Sequence, residues 1–111
     1  MSKRDPLVLL EDIMLAIEKI GRYTSQMDHD AFLRNDLVID GVARNLEIIG
    51  EAVRQLPKDF KSAHPQISWT QIAGLRNRIV HDYFGLDLEI IWEIIRHDLP
   101  QLEKQIRALQ G

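Results

Sequence analysis

Residues 37–57, LVIDGVARNLEIIGEAVRQLP, carry the pattern that decides the fold. Apolar side chains recur every three or four positions, as they do along the buried face of a helix, and polar side chains fill the positions between them. Pro57 cannot continue a helix, so the segment predicts a helix over roughly Leu37 to Leu56. The predicted buried stripe consists of Val42, Leu46, Ile49, Val53 and Leu56.

Gly50 lies inside this predicted helix. A glycine at such a position costs about 1 kcal/mol relative to alanine. We therefore predict that the missing side chain permits close approach of the backbone to a neighbouring helix.

The segments on either side of this helix show related signals. Asp5 is a predicted N-cap with Pro6 at the first helical position, and a first helix follows as far as Gly21. One helical turn is expected around residues 31–34. Residues 57–68, PKDFKSAHPQIS, are predicted to form a loop.

A third helix is predicted over Trp69 to Phe84. Ser68 and Gln71 form a capping-box pattern at its start, and Gly85 is suited to end it. Its apolar residues in the second half, Leu75, Ile79 and Val80, are expected to face the protein interior.

The last helix is predicted to start near Asp87, and Pro100 is expected to kink or divide it. No segment alternates with period two, and no repeat or linker marks a domain boundary. The predicted fold class is all-α, a single domain over residues 1–111. It is an antiparallel up-and-down bundle of four long helices, with a short extra helix and a kinked last helix.

Composition restricts the function classes. The chain has 45% hydrophobic and 28% charged residues, which suits one soluble globular domain. It has no cysteine, so a disulfide framework and a thiolate zinc site are excluded. No signal peptide or membrane span is recognisable, so a cytoplasmic location is expected. The net charge of -3 argues against a generally basic nucleic-acid binder, so any such site must be local.

Residues 76–83, RNRIVHDY, place an unusual number of polar groups on the predicted third helix. Arg76 and Tyr83 would lie two turns apart on one side of that helix. Asn77 and His81 would form an i, i+4 pair on an adjacent side. On physical grounds alone a solvated helix face is the first interpretation, because charged strips on helices are usually solvated.

Other polar residues carry weaker signals. Glu47 and Glu51 form an acidic i, i+4 pair that we interpret as a solvated helix edge. The remaining histidines show no ligand spacing, so no metal site is predicted. They are His29, His64 and His97.

Three further arginines could extend a path for RNA, although the sequence does not place them on the face of Arg76. They are Arg34, Arg44 and Arg54. Trp69 and Trp92 are interpreted as core or dimer contacts rather than as platforms for base stacking.

Arg76, His81 and Tyr83 fit the pattern Arg-x4-His-x-Tyr. Together with Gly-Glu-Ala at 50–52, Asp-Tyr-Phe after the histidine and Ile-Trp in the last helix, this pattern resembles the HepT family of HEPN-domain proteins. The resemblance extends from about Leu9 to Ile106.

The resemblance implies a metal-independent endoribonuclease that needs no cofactor. It would be the toxin of a toxin-antitoxin module, with an MNT-type nucleotidyltransferase as the antitoxin and RNA as the substrate. Arg76 would hold the phosphate and His81 would transfer protons, with Asn77 and Arg78 in supporting roles. Tyr83 would be the residue to which the antitoxin transfers AMP.

Cleavage of RNA by its own 2'-hydroxyl needs two proton-transfer partners, and the motif of one chain supplies only one histidine. A two-fold homodimer, the arrangement of HEPN proteins, would supply the second. The apolar stripe of the last helix also favours such a dimer. Two alternatives remain: a non-catalytic module that binds a nucleotide or a partner protein, and a purely structural dimeric bundle.

Overall fold

The computed structural model describes residues 4–80 and 85–110. Every regular element in these two ranges is helical, apart from one isolated bridge between Val80 and Leu86, so the predicted all-α class is confirmed. None of these helices combines the length and apolarity that crossing a membrane requires. The helices are α1 Pro6–Thr24, α2 His29–Leu33, α3 Asp36–Gln55, α4 Lys58–Ser62, α5 Trp69–Ala73, α6 Leu75–Ile79, α7 Leu88–Glu93 and α8 Leu99–Gln110, with a π-helical turn, Ile94–Asp98, between α7 and α8.

The core forms where α3 packs on α1. The predicted stripe of α3 is confirmed, because all five of its side chains are buried. Full burial of a side chain of this size contributes about 1.5–3 kcal/mol relative to its exposed state. α1 also packs on α8, and α3 also contacts α5 and α6, so α1 and α3 together connect the other helices to the core.

Side-chain caps fix the starts of the helices. The Asp5 carboxylate accepts a hydrogen bond from the Leu7 amide at 2.8 Å, as predicted, with Pro6 in the first turn. The Asp87 carboxylate accepts one from the Ile90 amide at 3.2 Å and opens α7. The capping box at Ser68 is wrong, because its side chain makes no capping hydrogen bond.

The predicted loop over residues 57–68 contains the five-residue helix α4. It was missed because tertiary contacts hold it in place rather than any apolar periodicity of its own. The buried Trp69 donates from its indole nitrogen to the carbonyl oxygens of Lys61 at 3.1 Å and His64 at 2.9 Å. Both carbonyls also accept a backbone hydrogen bond, Lys61 from the His64 amide at 3.1 Å and His64 from the Ile67 amide at 3.3 Å, so the indole adds a second donor that ties Trp69 to the end of α4.

The last helix is continuous through its π-helical turn. Pro100 has no amide hydrogen, and its ring would collide with the carbonyl of residue 96 in a regular α-helix. The wider turn directly before it accommodates both effects, so the α-helical pattern is interrupted by a π-helical turn ahead of Pro100. The apolar stripe of this helix is not free for a dimer as predicted, because it is buried within the chain at Leu99, Leu102 and Ile106.

The third predicted helix is wrong in its continuity and in its end. Gly74 separates α5 from α6, and α6 ends at Ile79 instead of Phe84. Val80 is extended and 36% exposed, so its predicted inward orientation is also wrong. The Ile79 carbonyl accepts a hydrogen bond from the Asp87 amide at 2.6 Å. In a continued helix this carbonyl would instead accept from the amide four residues further along the chain.

Candidate functional site

The short helix α6 holds three consecutive polar residues at the surface. Leu75 and Ile79 are buried, as predicted, and they fix this single turn against the core. Arg76, Asn77 and Arg78, which lie between them, are all exposed. Two apolar anchors four residues apart thus orient the polar residues of the motif away from the core.

Arg76 lines a groove of about 370 Å³ beside α3, which we call the arginine groove. This volume falls within the range of about 300–1,000 Å³ usual for ligand pockets. Residues three and four apart share one helix face, and four charged residues of α3 line the groove at this spacing. The charged residues of the groove are Arg4, Asp12, Arg44, Glu47, Glu51, Arg54 and Arg76.

Close packing at Gly50 brings Arg76 to this groove. A β-carbon on Gly50 would lie 3.3 Å from the carbonyl oxygen of Ile72 and 3.4 Å from that of Ala73. The predicted close approach at this glycine is therefore confirmed. Because Arg76 follows Ala73 by three residues, the same contact places it beside the charged face of α3.

Two of the four arginines in the groove are paired with carboxylates. Arg4 lies 2.8 Å from Asp12, and Arg54 lies 3.4 Å from Glu51. Within residues 4–80 and 85–110, no carboxylate oxygen lies within 4.0 Å of the guanidinium of Arg44 or Arg76. Four arginines against three carboxylates make the groove locally cationic in a chain of net charge -3. Such a surface attracts an anion.

Arg78 lines a different cavity, of about 160 Å³. Its guanidinium lies 3.0 Å from the Asp98 carboxylate of the π-helical turn. Arg76 and Arg78 therefore do not form one basic patch within a single chain. The supporting role of Arg78 stays a prediction.

The motif continues beyond the end of α6. Val80 and Leu86 form an antiparallel bridge, so these two residues lie side by side. His81 and Tyr83 lie outside the described residues. The predicted pairing of Asn77 with His81, and the shared side of Arg76 and Tyr83, assumed a helix to Phe84. They lose their basis because α6 ends at Ile79.

Comparison with known families decides the classification. The model of the HepT-like family, described as ribonuclease HepT-like, matches residues 13–109. The chain belongs to the HepT-like ribonuclease family. The matched range includes α6 and all three residues of the Arg-x4-His-x-Tyr motif.

Relatives of similar length support the family assignment. A Thermococcus cleftensis protein named "Probable ribonuclease HepT" is 39% identical over 108 residues, covering 97% of this chain and 98% of the relative. A Methanocaldococcus jannaschii protein with a provisional RNase name is 38% identical over 109 residues, covering 98% of this chain and all of the relative. The HepT-like sequence therefore corresponds to nearly the whole length of both proteins.

A solved structure shares the HepT-like fold. The tri-AMPylated HEPN toxin of Shewanella oneidensis, in complex with its MNT antitoxin, superposes with a TM-score of 0.68. The match covers 96% of this chain and 98% of the toxin at 23% sequence identity. At this identity the likeness demonstrates a common fold and no more.

The other histidines of this HepT-like chain form separate local contacts. His29 lies 3.0 Å from a carboxylate oxygen of Glu89, and its ring packs on Trp92 with centroids 5.9 Å apart. His97 lies 3.4 Å from Glu93. Within the described ranges, no three histidine, aspartate or glutamate side chains are grouped as metal ligands would be.

The arginine groove is the feature that the sequence did not reveal. The sequence could not assign Arg44 and Arg54 to the face of Arg76, but both line the groove with it, whereas Arg34 does not. Glu47 and Glu51 line it as well, and the side chain of Glu51 is 61% exposed there. The 3-4-3 spacing from Arg44 to Arg54 was visible in the sequence. The opposing position of α6 depends on the packing at Gly50.

Proposed function

We propose that this HepT-like protein is a metal-independent endoribonuclease and the toxin of a HEPN/MNT toxin-antitoxin module. The observation that carries the proposal is the match to a ribonuclease family over residues 13–109, which contains the complete motif. The exposed guanidinium of Arg76 in a locally cationic groove supports it, because a phosphodiester needs an accessible cation.

The chemistry requires no group from outside the protein and the RNA. A 2'-hydroxyl loses its proton to a base, and its oxygen attacks the adjacent phosphorus. The bond to the 5'-oxygen breaks, and that oxygen receives a proton from an acid. In this proposal His81 transfers protons, and Arg76 donates hydrogen bonds to the phosphate oxygens as negative charge builds up on them. Asn77 and Arg78 remain supporting residues.

Substitution of the two central residues tests the proposed chemistry. Arg76→Ala should lower kcat/KM for RNA by about 10²–10³, and His81→Ala by about 10²–10⁴. Arg76→Lys should recover part of the loss, because lysine keeps the charge without the planar fork of donors. Arg34→Ala is the matched control, since this exposed arginine does not line the groove. Unchanged cleavage by either alanine variant of Arg76 or His81 would refute its assigned role.

The proposal includes a homodimer, because two proton-transfer partners are needed and the motif supplies one histidine per chain. Equal amounts of wild-type and His81→Ala chains, unfolded and refolded together, measure this requirement. If one shared cleft needs both histidines, random pairing leaves about a quarter of the wild-type activity. If each chain acts alone, about half remains, and the shared cleft is wrong.

The proposed antitoxin is an MNT-type nucleotidyltransferase that transfers AMP to Tyr83. The Shewanella oneidensis toxin was solved in a tri-AMPylated form with its MNT antitoxin, which motivates this part of the proposal. A nucleotide attached within the motif would bring a phosphate anion that competes with the RNA phosphate for Arg76.

Mass spectrometry after coexpression with such an enzyme tests the modification. The peptide that contains Tyr83 should gain one or more AMP units of about 329 Da each. The chain has two tyrosines, so Tyr23→Phe serves as a matched control and should be modified like the wild type, whereas Tyr83→Phe should not. Full neutralisation of Tyr83→Phe with no added mass on the wild type would contradict the assignment.

A further inference from the structure

The arginine groove extends well beyond Arg76. Along α3 the groove continues past Glu47 to Arg44 and past Glu51 to Arg54. A single phosphate bound by Arg76 would leave the other arginines of the groove without a bound phosphate.

The two arginines of α3 in the groove, Arg44 and Arg54, differ in whether a carboxylate is paired with them. Arg54 is engaged with Glu51 at 3.4 Å, so binding a phosphate would require it to leave this carboxylate. Arg44 is exposed, and no carboxylate oxygen of the described ranges lies within 4.0 Å of its guanidinium. An anion that binds its donors would therefore displace none of the carboxylates in the described ranges.

We propose that Arg44 binds a second backbone phosphate of the RNA, beside the phosphate held by Arg76. The arginine groove is then a two-phosphate site that orients a single strand along α3. This inference rests on the proposed function, because it identifies the cleaved phosphate with the one at Arg76. Arg44 is a positioning residue here, since it touches a phosphate that does not react.

Binding of a non-cleavable RNA strand measures the proposed contact between Arg44 and the second phosphate. The probe is a fluorescent single-stranded oligonucleotide with 2'-O-methyl groups, which cannot attack the phosphorus, titrated by anisotropy at salt concentrations between 50 and 200 mM. For single strands, each phosphate neutralised contributes about 0.7 to the slope of log K against log salt. Arg44→Ala should reduce the slope by about 0.7 and weaken binding about tenfold.

The matched control separates a contact from the change in net charge. Arg34→Ala removes the same charge from an exposed arginine that also has no carboxylate within 4.0 Å in the described ranges, but does not line the groove. It should keep the wild-type slope. Arg44→Lys should retain most of the slope, because a lysine still neutralises a phosphate. In cleavage assays Arg44→Ala should raise KM and leave kcat within about twofold.

The outcomes distinguish this inference from the proposed function. An Arg44→Ala slope equal to that of Arg34→Ala, or a wild-type protein that does not bind the methylated strand, overturns the two-phosphate site. Cleavage of unmodified RNA together with an Arg44-independent slope overturns the site alone. A slope that depends on Arg44 in a protein that leaves unmodified RNA intact supports the site and refutes the ribonuclease proposal.

Discussion

Alanine at Gly50 and at Gly41 should have opposite effects on stability, although both residues lie within α3. In a helix interior, alanine is favoured over glycine by about 1 kcal/mol. The two sites therefore share the same gain from helix propensity and differ in what the new β-carbon meets.

The distances give the expected sign at each site. At Gly41 the β-carbon would lie 3.2 Å from the ring of Tyr23, which is 39% exposed and can turn aside. Gly41→Ala should thus raise the free energy of unfolding by up to about 1 kcal/mol. At Gly50 the new atom would meet the carbonyl oxygens of Ile72 and Ala73, which α5 holds in place. Overpacking of this kind costs about 1–3 kcal/mol, so Gly50→Ala should lose about 0–2 kcal/mol.

Thermal and urea denaturation of the two variants measure this difference. A gap of about 1 kcal/mol between the two variants corresponds to about 4 °C or more in Tm for a domain of this size. RNA cleavage should fall only in Gly50→Ala, because a displaced α5 shifts Arg76 away from α3. Equal stabilisation of both variants would refute the account of how the arginine groove is assembled.

Three further experiments each test one local feature of the fold. Trp69→Phe should lower the unfolding free energy by about 0.5–1.5 kcal/mol in urea titrations, because two carbonyls lose their indole donor; no change would show that these bonds contribute nothing. Gly85→Ala should cost about 1 kcal/mol in thermal denaturation, since φ is +90° and, among the described residues other than its chain neighbours, a β-carbon would meet no atom within 4 Å, so the cost is assigned to the backbone conformation. A double-mutant cycle between Arg78 and Asp98 should give a coupling of about 0–1 kcal/mol, as for other exposed pairs, and a larger value would contradict their exposure.

Local signals in the sequence were sufficient for the framework of the fold. The cap at Asp5, the stripe of α3 and the start of α7 at Asp87 each depend on spacings of two to four residues along one helix. A cap or a buried stripe needs only residues of one helix, so capping chemistry and apolar periodicity are sufficient to predict it from the sequence.

The errors occurred where distant residues decide the local structure. The carbonyl of Ile79 bonds to the Asp87 amide, eight residues away, and this pairing ends α6 five residues before the predicted end. Trp69 supports α4 from outside that helix. Pro100 predicted a kink or a division of the last helix but not the π-helical turn that precedes the proline.

The candidate site was predictable only where it depends on neighbouring residues of one helix. Exposure of Arg76 followed from its place between two buried anchors on one helical turn. Its proximity to Arg44 did not follow, because that relation joins α3 and α6 through the glycine contact. The charge pattern of α3 became interpretable only with the opposing helix in place.

Cleavage of RNA by the purified protein in excess EDTA tests the central claim most directly. Products are separated and their ends identified by mass spectrometry, with Arg76→Ala protein prepared in parallel to exclude contaminating ribonucleases. We predict cleavage that persists in EDTA, leaves 2',3'-cyclic phosphate ends and is lost in Arg76→Ala. A strict requirement for an added divalent metal, or equal cleavage by the Arg76→Ala protein, would contradict the account.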